Sequence, residues 1–187
     1  MKFSMKKVTV LLADGFEEIE AQTVVDLLRR AKVYVDTVSI TDDYTVRGAH
    51  GIPVQTEDLI TEIDFKESDM IVLPGGMPGT TNLKEDENVR KAVQEAYDDG
   101  RYVAAICAAP TILADMGLLK GKRATCYPDM ESEIEDAYLT GAPVATDENI
   151  ITSQGVGTAI DFALKLIEVL ISEEKAVEIA DSIVYQR

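Results

Sequence analysis

Cys107 closes a short apolar run, Tyr102 to Ile106, and is followed by Ala108, Ala109 and Pro110. A strand ending on a thiol, two small residues that permit a tight bend and a proline suited to a first helical turn together spell a nucleophile elbow. A sulfur placed there lies near the positive end of the helix dipole, which favours the thiolate, the reactive form. The same pattern also fits a small buried hydrophobe at a strand end. The N–H of Ala108, with those around Gly75 and Gly76 in the run Pro74-Gly75-Gly76-Met77-Pro78-Gly79, offers donors for an oxyanion.

A thiol nucleophile needs a proton acceptor, and the chain has a single histidine, His50, in the loop Gly48-Ala49-His50-Gly51. A Cys-His dyad or Cys-His-Glu triad would rest on it alone; it reads equally as a surface residue or as a polar group at a pocket rim. Glu20 is the other candidate. It falls in the opening turn of a helix after Asp14-Gly15-Phe16-Glu17-Glu18-Ile19, where a carboxyl beside a sulfur in a partly buried cleft can hold a proton and share it. A bare dipole-complementing role at the helix start fits Glu20 as well, and Glu17 and Glu18 with it. Cys126 reads as packing, and Gly155-Val156-Gly157-Thr158 as a turn and helix cap, since the rest of a nucleotide-binding fingerprint is missing.

The elements that must position these groups follow from periodicity. Short Val/Ile/Leu-rich runs at Lys7 to Ala13, Val33 to Ile40, Met70 to Leu73, Tyr102 to Ile106, Arg123 to Cys126 and Ile150 to Thr152 read as buried strands. They alternate with helical periods at Glu18 to Ala31, Glu87 to Asp98, Pro110 to Met116, Thr158 to Ser172 and from Glu174 onward. That alternation predicts an α/β fold with a mainly parallel sheet between helices, in which ligands gather past the carboxyl ends of strands. Thr41 to Thr61 is less regular and predicts a short hairpin beside the main sheet. Asp129 to Asp136 reads as a solvated acidic helix or loop. No repeat or Pro/Gly-rich linker divides the chain, so residues 1–187 are expected to form a single domain.

Lys and Arg number 18 against 34 Asp and Glu, a formal charge of −16. Such a surface is not built to neutralise phosphates or anionic lipid, so stable nucleic-acid binding is not expected. Two cysteines, 107 and 126, suit neither a disulfide framework nor a CxxC motif, which points to a reducing, cytoplasmic compartment. The apolar run after the basic MKFSMKK is cut short by Asp14 and cannot serve as a signal peptide. Met1 and Met5 both stand as candidate translation starts. No stretch approaches the roughly 18 apolar residues of a membrane span.

Four segments, LADGFEEIEA (Leu12 to Ala21), VLPGGMPG (Val72 to Gly79), AAICAAPTIL (Ala104 to Leu113) and TSQGVGTAIDFALKLIE (Thr152 to Glu168), taken together resemble the DJ-1/ThiJ/PfpI superfamily, specifically its DJ-1 branch, over nearly the whole chain. The resemblance implies a flavodoxin-like three-layer sandwich of the class I glutamine amidotransferase-like kind, a cytoplasmic homodimer, and no metal or organic cofactor. It makes Cys107 the oxidisable nucleophile, Glu20 its hydrogen-bonded acid/base partner, and Gly75, Gly76 and Ala108 the backbone donors around the sulfur. His50, Tyr127, Arg30 and Pro128 become candidates for the pocket wall. Animal DJ-1 proteins carry a His where this chain has Tyr127 and an Arg near the position of His50. The protease branch has His directly after its Cys, whereas this chain has Ala108, so protease activity is not implied. The activities implied are glyoxalase III-type conversion of methylglyoxal to lactate or deglycation of early dicarbonyl adducts, with small dicarbonyls or glycated groups as partners. The alternative is a non-enzymatic peroxide sensor or redox chaperone acting through oxidation of Cys107.

Overall fold

A computed structural model describes residues 5–186; Met1, one of the two candidate starts, lies outside them. The first half of the chain runs β1 (Lys7–Leu12), α1 (Glu18–Arg30), β2 (Tyr34–Ser39), β3 (Thr45–Arg47), β4 (Pro53–Gln55), β5 (Asp58–Leu59), β6 (Met70–Leu73), α2 (Gly79–Glu85) and α3 (Glu87–Asp98). The second half runs β7 (Tyr102–Ile106), α4 (Pro110–Asp115), β8 (Arg123–Ala124), β9 (Tyr138–Leu139), β10 (Val144–Asp147), β11 (Ile150–Ser153), α5 (Ala159–Leu170) and α6 (Glu173–Ser182).

Seven strands form one sheet in the order β10-β11-β7-β6-β1-β2-β5, parallel throughout except for β10 against β11. Apolar side chains on both faces put β1, β6 and β7 in the middle. Along β1, Val8, Val10 and Leu12 enter a core shared with α1, α5 and α6, while Leu11 and the following Ala13 enter the opposite core with α3 and α4. This is the period-two alternation of a strand covered on both sides, and it gives the three layers. The one polar side chain in that run, Thr9, is satisfied by Ser68 at 2.6 Å.

Helix boundaries follow the caps. Asp86 accepts the N–H of Val89 at 2.9 Å to start α3, and Ser172 accepts that of Lys175 at 3.2 Å to start α6. The expected hairpin in 41–61 is present as antiparallel β3 and β4, outside the main sheet. Arg123 to Cys126 departs from expectation. Only Arg123 and Ala124 are extended, and they pair with β9 in a separate two-stranded sheet. The central sheet is completed instead by β10 and β5, which the sequence pattern did not single out. Cys126 is fully buried in the core beside α4, as its packing role requires. The acidic 129–136 segment is a short 3-10 turn with mostly exposed carboxylates. No described helix is long and apolar enough to cross a membrane.

Candidate functional site

The carboxyl ends of four parallel strands, β1, β6, β7 and β11, converge where the strand order reverses direction between β1 and β6. β7 delivers Cys107. Its backbone has φ +66°, the left-handed region that a side-chain-bearing residue enters at a cost, and α4 begins three residues later at Pro110. Two contacts hold this bend. The Cys107 N–H donates to the Ser153 carbonyl at 3.0 Å, and its own carbonyl accepts from the N–H of Tyr127 at 2.8 Å.

α1 delivers Glu20 as its third residue, with no exposed surface. Its Oε2 accepts the N–H of Gly75 at 2.8 Å. Its Oε1 is buried and has no N–H or O–H partner among the described residues; the polar neighbour left to the carboxyl is the Cys107 thiol. A methyl built on Gly155 would stand 3.8 Å from Cys107 Sγ, 3.9 Å from Glu20 Oε1 and 3.6 Å from the Tyr127 ring, so sulfur and carboxyl surround a common point. Gly75 must be glycine for this approach, since a Cβ there would lie 2.6 Å from both Cys107 Cβ and Glu20 Oε2.

Burial pushes the Glu20 carboxyl up to about 7, against the lowering effect of its bonds to Cys107 and Gly75, and the charge of Glu17 adds to the rise. Burial also pushes the Cys107 thiol up to about 12, with the Glu20 carboxylate adding to it, while the N–H groups of Ala108 and Gly76 oppose the rise. The positive end of α4, which favours the thiolate, belongs to a helix of only six residues, and burial and the Glu20 carboxylate act against it. Burial thus favours the protonated form of both groups, and Glu20 is the one raised into the neutral range.

The cleft above the pair has a volume of ≈ 460 Å³ and a lining that includes Glu17, Glu20, Gly76, Cys107, Tyr127 and Pro128. Its opposite wall is Gln154 to Thr158. That segment is the expected turn, tied by Thr158 Oγ1, which accepts from the Gly155 N–H at 3.1 Å; its second role as a cleft wall was signalled only by its place after a parallel strand. Glu17 is also in the lining, a place the sequence did not assign it. Of the other residues anticipated around the sulfur, three are displaced. The Gly75 N–H is committed to Glu20 and leaves Gly76 and Ala108 as the donors near the sulfur. Arg30 lies ten residues beyond Glu20, roughly 15 Å along α1, and pairs with Asp26 at 2.8 Å on the outer face. His50 is absent from the lining. Its Nδ1 lies 2.9 Å from Glu18 and 3.6 Å from Glu17, one residue removed from the cleft. Glu17, Glu18 and His50 bring ligand-type atoms within 4.8 Å of one another, but Glu18 is already engaged by the His50 ring and by the N–H groups of His50 and Ile52.

The signature described as the DJ-1/PfpI family matches residues 6–169. Protein DJ-1 homolog B of Arabidopsis thaliana is 40% identical over 186 residues, which cover 98% of this chain and 42% of that protein, so the chain spans less than half of that relative's length. Glutathione-independent glyoxalase DJ-1 of Schizosaccharomyces pombe is 34% identical over 182 residues, covering 91% of this chain and 94% of that protein. The crystal structure of Drosophila melanogaster DJ-1beta superposes with a TM-score of 0.94 at 34% identity, covering 98% of this chain and 100% of that one.

Proposed function

The chain belongs to the DJ-1/PfpI family, and from that premise we propose that it is a cofactor-independent, cysteine-dependent enzyme acting on reactive 2-oxoaldehydes. Conversion of methylglyoxal to lactate is the leading reaction, with early dicarbonyl adducts as related substrates. The observation that carries this reading is the buried Glu20 carboxyl, raised to about 7, with an oxygen free of N–H and O–H partners beside a thiol on a strained elbow. A carboxyl so placed is matched to proton transfer near neutral pH.

Glu20 takes the thiol proton as Cys107 Sγ adds to the aldehyde carbon, and the new oxyanion lies toward the N–H groups of Gly76 and Ala108 before it is protonated. Glu20 gives the thiol proton to that oxyanion and, as carboxylate again, removes the hydrogen on the same carbon as a proton; the electron pair moves toward the neighbouring carbonyl, whose oxygen takes the hydroxyl proton of the first carbon as an enediolate forms. Return of the proton from Glu20 to the neighbouring carbon leaves a lactoyl thioester on Cys107. Water cleaves it, releasing lactate and restoring the thiol, so the net reaction is methylglyoxal plus water to lactate. Methylglyoxal is neutral, and the chain's charge of −16 is no barrier to it.

The test is lactate formed from methylglyoxal in buffer free of amines and thiols, comparing the native chain with Cys107→Ser. Multiple turnovers that vanish in the variant are expected. Loss of methylglyoxal without lactate, or equal rates in the two proteins, would overturn the proposal in favour of a peroxide sensor in which Cys107 is oxidised without turnover.

A further inference from the structure

The cleft over Cys107 is lined by two carboxyl groups, Glu17 and Glu20, and among the described residues by no Lys, Arg or His. The rest of its wall, including Tyr127, Gln154, Val156 and Thr158, is uncharged. Glu20 has no exposed surface. The Glu17 side chain keeps 12% of its surface exposed, so Glu17 is the carboxylate that a molecule entering from solvent meets first. Its place is fixed at the start of α1: its N–H donates to the Gly75 carbonyl at 2.8 Å, and its Oε1 accepts the N–H of Ile19 at 3.5 Å.

The basic groups nearest in sequence to the cleft are spoken for elsewhere. His50 Nδ1 stands 3.6 Å from Glu17 Oε2 but 2.9 Å from Glu18, which holds it. Arg47 Nη1 donates to the Gly51 carbonyl at 2.8 Å, and Arg30 pairs with Asp26. Among the described residues no Lys or Arg pairs with Glu17. Its charge is therefore offset at most by a histidine that serves another carboxylate. Partly enclosed by uncharged walls, it is screened less than a charge on the open surface. The formal charge of −16 on the whole chain adds a field of the same sign.

We infer that Glu17 is a specificity-determining residue that bars anionic molecules from Cys107 and restricts the cleft to uncharged substrates. The class admitted is a 2-oxoaldehyde with an alkyl, hydroxyalkyl or aryl substituent, and the class refused is one that carries a carboxylate or phosphate. Repulsion of the second class is the whole of the effect, since the cleft holds no cation to bind its charge. This rests on the reading of Cys107 as the reacting group, but the discrimination can be measured without turnover.

The probes are iodoacetamide and iodoacetate, which match in size and differ in charge. With either one the Cys107 sulfur displaces iodide, a carbon–sulfur bond forms and the thiol proton passes to solvent. The readout is the ratio of the two rates at Cys107, followed by peptide mass spectrometry, against the same ratio for 2-mercaptoethanol. A ratio cancels any change in the reactivity of the thiol itself, so a purely structural role for Glu17 would leave it unmoved. The native chain is expected to disfavour iodoacetate about fivefold or more beyond the free thiol. Glu17→Gln, whose amide oxygen can still accept the Ile19 N–H, should recover most of that factor. Glu173→Gln removes one charge from an exposed position on α6, which α5 separates from the cleft wall by roughly 18 Å, and should change the ratio little. On the native chain, raising salt from about 20 mM to about 500 mM should also weaken the discrimination. A native ratio equal to that of the free thiol, a ratio indifferent to salt, or equal shifts from the two variants would overturn the assignment. Failure of the lactate assay with the discrimination intact would overturn the glyoxalase reading alone.

Discussion

Replacing Glu20 by Gln removes a buried ionisable group while keeping its shape, and the amide oxygen can still accept the Gly75 N–H that Oε2 accepts at 2.8 Å. The folded-state value of about 7 lies above the unfolded 4.5. Stability from this group is therefore fully present below pH 4.5 and is lost as the pH rises through 7. At about 1.4 kcal/mol per unit, the whole effect is about 3 kcal/mol, most of which falls between pH 5 and pH 8. Glu20→Gln deletes that dependence and leaves the other titrating groups in place. Urea unfolding of both proteins across this range should show the variant gaining on the native chain by about 2–3 kcal/mol as the pH rises. A stability difference that stays constant from pH 5 to pH 8 would mean that Glu20 titrates as an ordinary carboxyl in the fold. The acid/base role proposed for it would then fail.

Two further substitutions test the packing around the pair. Gly75→Ala puts a methyl 2.6 Å from Cys107 Cβ and 2.9 Å from the Ile106 carbonyl, and thermal unfolding should show a loss of about 1–3 kcal/mol. Gly155→Ala meets nothing closer than 3.6 Å, so its stability should stay within about 0.5 kcal/mol of the native chain, while alkylation of Cys107 by iodoacetamide slows because the methyl narrows the cleft. Equal stability of the two variants would refute the close approach at Gly75. Thr125 Oγ1 is buried without a partner among the described residues, and Thr125→Val should be neutral or stabilise by up to about 1 kcal/mol in chemical unfolding; a marked loss would show that the hydroxyl is paired.

Much of the architecture was legible without coordinates because it depends on local pattern. The largely apolar runs of β1, β6 and β7 read as covered strands, and α3 falls on Glu87–Asp98 as read, because Asp86 caps a clean helical period. The elbow was legible for the same reason, since Cys107, two alanines and Pro110 are contiguous. Elements with weak local signals were missed. β5 has two residues and β10 is a partly exposed edge, while α2 is a seven-residue helix with no side-chain cap at its start. Arg123 to Cys126 looked like a central strand because its burial comes from the α4 side of the core rather than from the sheet.

Residue types and strand ends therefore nominated a thiol, a carboxyl and a glycine turn, whereas their relations were decided by contacts between distant segments. The Gly75 N–H lies 55 positions from the Glu20 oxygen it serves, and no local rule foretells that it is used there rather than at the sulfur. Arg30 shares a helix with Glu20, yet the helix rise carries it out of the cleft. Whether the sulfur rests as thiol or thiolate depends on how far water is excluded around two groups, one after a strand and one on a helix, and exclusion of water is a property of the packed fold.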